Sequence, residues 1–181
     1  MKKVYVIRHC EAEGQASDAP LTATGQKQAQ ELAKFFSEIK VERIVSSPYK
    51  RAVQSIGPLA DKFGVQVEKD DLLAERVLSS HNLPDWMEKL TASFEDAELK
   101  YEGGESGREA MERIVGVVEE IFNSEHEHSI VVTHGNILSL LLRHFDDKFG
   151  FHNWQALSNP DVFELKKDGE NVSFERLWSS K

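Results

Sequence analysis

Ser129-Ile130-Val131-Val132-Thr133-His134-Gly135 decides how this chain is read. A short β-branched run bounded by small polar residues reads as a buried central strand. It leads into Ile137 to Phe145, a mostly apolar stretch that reads as a buried helix. Working outward, the same alternation recurs twice. Lys3-Val4-Tyr5-Val6-Ile7-Arg8 is a strand by its β-branched and aromatic content, followed by a small, polar loop from Cys10 to Leu21 and a helix from Thr22 to about Glu38. Arg43-Ile44-Val45-Ser46 is another strand. Ser47-Pro48 after it predicts a cap with proline at the first helical position, and Gly57-Pro58 is expected to kink or interrupt the helix that follows.

The rest of the chain fits around these units. Val65-Gln66-Val67 alternates as a minor strand, and Trp86, Met87, Leu90 and Phe94 suggest a helix. Ser106-Gly107-Arg108-Glu109 is a capping box. Behind it Met111, Ile114, Val115, Val118, Ile121 and Phe122 make the best amphipathic helix in the chain. Asp161 to Leu165 and Val172 to Trp178 read as a closing strand pair around Lys167-Asp168-Gly169-Glu170. Strands alternating with helices predict an α/β fold, a three-layer α/β/α sandwich with a mainly parallel sheet. The 181 residues show no repeat, low-complexity tract or linker, so one domain over 1–181 is expected.

Composition limits the function. Lys and Arg total 22 against 31 Asp and Glu, a net charge of −9. That balance excludes a basic nucleic-acid binder but leaves room for a small phosphorylated ligand, which needs only a few cations in one place. No apolar run approaches the length of a membrane span, and Arg8-His9 ends the first apolar stretch too soon for a signal peptide. Cys10 is the single cysteine, so no internal disulfide can form and a reducing cytoplasm is the expected compartment.

In a parallel sheet, ligands sit beyond the carboxyl ends of the strands. Those ends carry Arg8-His9, Ser46-Ser47 and Thr133-His134-Gly135, with Arg51 one turn into the following helix. Two arginines can neutralise most of a phosphate dianion, and a neutral imidazole can attack phosphorus. A carboxylic acid must protonate the leaving alkoxide, for which Glu75 is a candidate. A single histidine after a strand is usually structural, and Glu75 alone is one of many acidic residues. Only the convergence of two histidines with arginine points to chemistry. Three other features carry none. His126-Glu127-His128 reads as a solvated turn rather than a metal pair. Gly103-Gly104 lacks the spacing and lysine of a nucleotide loop. Cys10 has alanine, not arginine, six residues on, so it is not the nucleophile of a cysteine phosphatase.

Five ordered segments resemble the histidine phosphatase superfamily, also called phosphoglycerate mutase-like. They are Val6-Ile7-Arg8-His9-Cys10-Glu11, Leu21-Thr22-Ala23-Thr24-Gly25-Gln26-Lys27-Gln28-Ala29, Ser46-Ser47-Pro48-Tyr49-Lys50-Arg51-Ala52-Val53-Gln54-Ser55, Gly104-Glu105-Ser106 and Val132-Thr133-His134-Gly135-Asn136. The resemblance implies that His9 accepts the phosphoryl group and that Arg8, Arg51 and His134 complete the pocket. Glu75 would be the general acid, and Gln15 and Asn136 further phosphate contacts. It implies no metal and no cofactor. The partner would be a small phosphorylated substrate or a phosphorylated protein, and neither nucleic acid nor membrane.

The departures bear on the reaction. Cys10 stands at the family glycine, Ala12 at a common Ser or Thr, and Gln15 at an asparagine. Glu75-Arg76 continues as Val77-Leu78-Ser79, without the mutases' Glu-Arg-His-Tyr-Gly, and their basic insert is missing. Residues 78–104 are expected to cap the site, with Arg76, His81, Trp86 and Tyr101 placed to line it and the two aromatics read as packing rather than ligand contacts. A mutase must keep its phosphoenzyme dry. The smaller site therefore favours phosphomonoester hydrolysis over mutase transfer, with a non-catalytic phosphate sensor as a third reading.

Overall fold

The alternation of side chains along β1 (Lys2–Arg8) builds the layers. Val4 and Val6 face one core, and Tyr5 and Ile7 face another, because successive strand residues point to opposite faces. The computed structural model describes residues 1–179. Its sheet has six strands in the order β3-β2-β4-β1-β5-β6, with β2 Arg43–Ser46, β3 Val67–Lys69, β4 His128–Thr133, β5 Asp161–Asp168 and β6 Asn171–Arg176. The first four in that order run parallel, while β5 pairs antiparallel with both β1 and β6. The fold is the expected α/β sandwich with a mixed, mostly parallel sheet.

Helices cover both faces. α1 (Ala23–Phe35), with Phe36 directly after it, and α2 (Lys50–Phe63) bury Leu32, Phe36, Ile56 and Leu59 with Tyr5, Ile7, Ile44 and Ile130. On the other face α3 (Trp86–Glu95), α4 (Gly107–Phe122) and α5 (Gly135–Phe145) bury Leu90, Ile114 and Leu138 with Val4, Val6 and Val131. Strands covered on both sides read as unbroken apolar runs, which is why β1 and β4 were visible in the sequence. The Ser106–Glu109 capping box starts α4 as expected.

Several local expectations fail. α2 begins at Lys50 rather than Pro48. Ser47 stays extended, its N–H donating to the Val132 carbonyl at 2.8 Å, and the following proline disfavours a helical Ser47. Pro58 sits within α2 without interrupting it. Gly57 before it has no Cβ to meet the proline ring. The helix from Thr22 ends at Phe35, and the minor strand lies at 67–69 rather than 65–67. His128 belongs to β4, not to a turn. A 3-10 turn (Asp71–Leu73) and the short α6 (Phe151–Gln155) had no periodicity to announce them.

Register is what the site needs. β1 and β4 end level, with Arg8 opposite Thr133, and Ser46 of β2 opposite Val132. His9, Ser47 and His134 therefore leave the sheet side by side.

Candidate active site

His9 follows β1 and keeps the ladder going, its N–H donating to the Thr133 carbonyl at 3.1 Å. Its Nδ1 lies 2.7 Å from the Cys10 carbonyl oxygen. A carbonyl can only accept, so Nδ1 carries the proton and Nε2 holds the lone pair. Arg51 Nε donates to that Nε2 at 3.3 Å. Burial, with Arg51 and Arg8 close by, depresses the His9 imidazole to about 4 despite the carbonyl contact. A half-buried histidine is thereby kept neutral, with its free nitrogen turned to a guanidinium.

His134 caps α5 and is fully buried, its ring 5.1 Å from that of His9. Its Nε2 is 2.8 Å from Ser47 Oγ, while its Nδ1 has no partner. Burial first, then His9 and the two arginines, hold it well below the ordinary imidazole value. Arg8 reaches across the start of α5. Its Nη1 donates to the Leu157 and Ser158 carbonyls at 3.4 and 3.5 Å, but its buried Nε is unpaired. This approach depends on Gly135, where a Cβ would lie 2.9 Å from Arg8 Nε. Arg51, on the first turn of α2, is buried and donates through Nη1 to the Gln15 and Ala16 carbonyls at 3.2 and 2.9 Å. Buried unpaired polar atoms are costly, and two of them, Arg8 Nε and His134 Nδ1, belong to this one cluster.

Glu75 meets the cluster from the segment after β3. Its Oε1 accepts the N–H groups of Arg76 and Ile137, both at 2.9 Å, and its Oε2 that of Asn136 at 3.1 Å. The carboxyl thus sits on the first turn of α5, on N–H groups that have no acceptor within the helix. The segment is held by Thr133 Oγ1 on the Leu73 carbonyl at 2.6 Å and by Arg113 on the Leu72 and Glu75 carbonyls at 2.6 and 3.3 Å. Asn136 is buried with its Oδ1 unpaired. Gln15 lines the adjoining cleft of about 340 Å³ together with Arg51, Glu75 and Trp86.

All seven residues singled out in the sequence therefore lie at this end of the sheet. Sequence reasoning missed the supports. Ser47 holds His134, Arg113 holds the Glu75 segment, and Asn159 Nδ2 donates to the His9 carbonyl at 3.0 Å. Ser47 stood in a quoted motif and the Asn159-Pro160 pair is a turn signal, whereas nothing marked Arg113 within its helix. Trp86 is a correction. It was expected to pack, yet it is 47% exposed and lines the cleft. Tyr101 does pack, under Lys89 at 5.4 Å. Cys10 is fully buried in the core beneath α1 and α2, and burial pushes its thiol up to about 12, leaving it no nucleophilic role.

A strand-end histidine pair flanked by two arginines, at the carboxyl ends of a parallel sheet, defines the class of site this α/β protein carries. The chain belongs to the histidine phosphatase superfamily (branch 1), whose model matches residues 4–179. It is 29% identical over 147 residues to phosphoserine phosphatase 1 of Hydrogenobacter thermophilus, covering 73% of this chain and 70% of that one. Its fold is similar to a mycobacterial glucosyl-3-phosphoglycerate phosphatase solved with inorganic phosphate, at TM-score 0.79 and 24% identity, covering 99% and 98% of the two chains. A phosphoglycerate mutase of Bacillus anthracis is also similar, at TM-score 0.77 and 16% identity over 97% and 92%.

Proposed function

We propose that the protein is a phosphomonoester hydrolase working through a phosphohistidine on His9, without a metal. The observation that carries this reading is the Nδ1 contact of His9 with the Cys10 carbonyl, which leaves the Nε2 lone pair beside Arg51. The unpaired Arg8 Nε and His134 Nδ1 supply donors for phosphoryl oxygens, and preorganised donors stabilise the charge that builds on them. For His134 this requires the proton on Nδ1, with the Ser47 hydroxyl donating to Nε2.

In the first step Nε2 of His9 forms a bond to phosphorus as the P–O ester bond breaks. The leaving alkoxide takes a proton from Glu75, whose Oε2 holds a single N–H and has room for one. In the second step water attacks phosphorus, gives its proton to Glu75 and releases phosphate from His9. Gln15 and Asn136 are assigned to phosphate, and residues 78–104 to a cap within a single domain.

Hydrolysis is favoured over mutase transfer because His81 and Trp86 leave the cleft wall open to water. Both activities occur in the names of similar proteins, a phosphoserine phosphatase and a phosphoglycerate mutase among them. The test is phosphate release from a panel of monoesters, with 3-phosphoglycerate isomerisation scored alongside. His9-dependent release that survives EDTA is expected. Isomerisation without release would replace the reading with a mutase, and phosphate binding without turnover with a sensor.

A further inference from the structure

The wall of the cleft beyond the phosphate end differs from what a phosphorylated acid would need. Phosphoserine and phosphoglycerates carry a carboxylate, and a free cation is the strongest partner for such a second anion. The charged or titratable residues lining this cleft are Tyr49, Arg51, Glu75, Arg76 and His81. Arg51 is assigned to the phosphate. Arg76 is 5% exposed and turned inward, with Nη1 on Ser93 Oγ at 2.8 Å and Nε and Nη2 on the Glu105 carbonyl at 3.3 and 3.0 Å. His81 is exposed at the rim and faces the carboxylate of Glu102 at 3.1 Å. Among the described residues, no lysine and no arginine other than Arg51 and Arg76 lines this cleft.

Beside the uncharged polar Gln15, Ser79 and Asn82, what the wall offers is apolar. Val77, Leu78, Leu83 and Trp86 line it, and Tyr49 stands between it and His134. Val77 is 43% and Trp86 47% exposed, although large apolar groups in this fold are otherwise mostly covered. Trp86 opens α3, and its N–H donates to the Leu83 carbonyl at 3.2 Å, which fixes the indole-bearing backbone to the rest of the wall. An exposed apolar cluster in a concave site marks a ligand surface.

Building on the proposed hydrolase, we infer that its substrates are monoesters of neutral alcohols with a flat apolar group, seated against Trp86, and that phosphorylated carboxylic acids are disfavoured. Trp86 then determines specificity without touching the phosphoryl group.

The experiment compares kcat/KM for benzyl phosphate with that for phosphoserine and 3-phosphoglycerate, in the intact chain and in Trp86→Ala and Trp86→Phe. All three substrates leave as alkoxides, so leaving-group chemistry does not set the order. Benzyl phosphate should be preferred by at least about ten-fold, Trp86→Ala should erase most of that through KM, and Trp86→Phe should restore it. Inhibition by inorganic phosphate should be the same in all three proteins, which checks that the phosphate end is intact. Equal or better use of the carboxylates, or an unchanged preference in Trp86→Ala, would overturn the inference while leaving the hydrolase reading standing. Absence of His9-dependent release from every substrate would instead overturn the hydrolase reading itself.

Discussion

The floor of the cleft and its outer wall are built on different principles. The floor is set by strand ends and helix starts: Arg8 and His9 after β1, Arg51 in α2, His134 at the head of α5. Parallel register brings these together, and each is tied to backbone carbonyls or to a neighbouring side chain. The wall comes from residues 77–86, which lie outside the sheet and hold their shape by loop contacts such as Val77 N–H or carbonyl to Glu105. Rigid elements hold a reacting geometry, whereas loops can vary without disturbing the core. The floor should therefore govern whether a phosphoryl group transfers, and the wall which alcohol leaves.

Substitutions can break this division. His9→Ala removes the proposed acceptor and should lower kcat by at least about a thousand-fold for every monoester alike. Residual turnover that varied with the alcohol would show that the floor alone does not govern transfer. Glu75 lies at the seam, lining the cleft while resting on α5. Glu75→Gln keeps an oxygen for the backbone N–H groups but cannot donate a carboxylic proton. Hydrolysis of alkyl phosphates should fall about a hundred- to a thousand-fold, and that of p-nitrophenyl phosphate much less, because its leaving group needs little protonation. Equal losses on both would remove Glu75 from the proton-transfer role.

A smaller and uniform effect is expected from Gly135→Ala. The new Cβ would press on Arg8 Nε, Cζ and Nη2 at 2.9 to 3.1 Å, and Arg8 must shift to relieve it. Displacing this proposed phosphate contact by a fraction of an ångström should cost about ten-fold in kcat/KM across all substrates. A loss confined to some alcohols would contradict the separation of floor from wall. The floor also makes a prediction about charge. His9 has its imidazole depressed to about 4, so it stays neutral as pH falls through 6.5, where an unperturbed histidine would charge. An NMR titration of the His9 ring should show its transition near pH 4. The unfolded chain takes up the proton first, so stability should fall as pH drops from 6.5 toward 4.

The same contrast explains how far the sequence could be read. β1, β4 and α5 are apolar runs because they are covered on both sides, so their ends, and with them Arg8, His9 and His134, were legible from pattern alone. Glu75 was a bare carboxylate in an acidic chain. Only its three-dimensional place on Asn136 and Ile137 distinguishes it. The start of α2 was misread because Ser47 looked like a cap, while its hydroxyl contacts His134 and the Tyr49 N–H. Trp86 reads as packing because aromatics in such segments usually bury area, and nothing in the sequence says which end of a helix projects into a cleft. Tertiary contacts, not local periodicity, decide such residues.

Cys10 gives the finest test of the division, since it lies on the floor in sequence yet not in chemistry. It replaces a family glycine directly after His9. Glycine is required there only if the backbone needs a positive φ or if a side chain would intrude. Neither holds: among the described residues no non-glycine has positive φ, and the Cys10 side chain is fully buried in the core with Leu32 and Ile56. The contribution of residue 10 to the floor is its backbone, a carbonyl facing His9 Nδ1 and an N–H donating to Ser55 Oγ at 2.8 Å. Cys10→Gly keeps both groups, so kcat/KM should stay within about two-fold. Removing the thiol leaves a small void and adds backbone freedom, which should cost about 1 kcal/mol and lower Tm by about 2–4 °C. A large loss of activity with unchanged Tm would mean that the side chain, and not the backbone, shapes the phosphate site at this position.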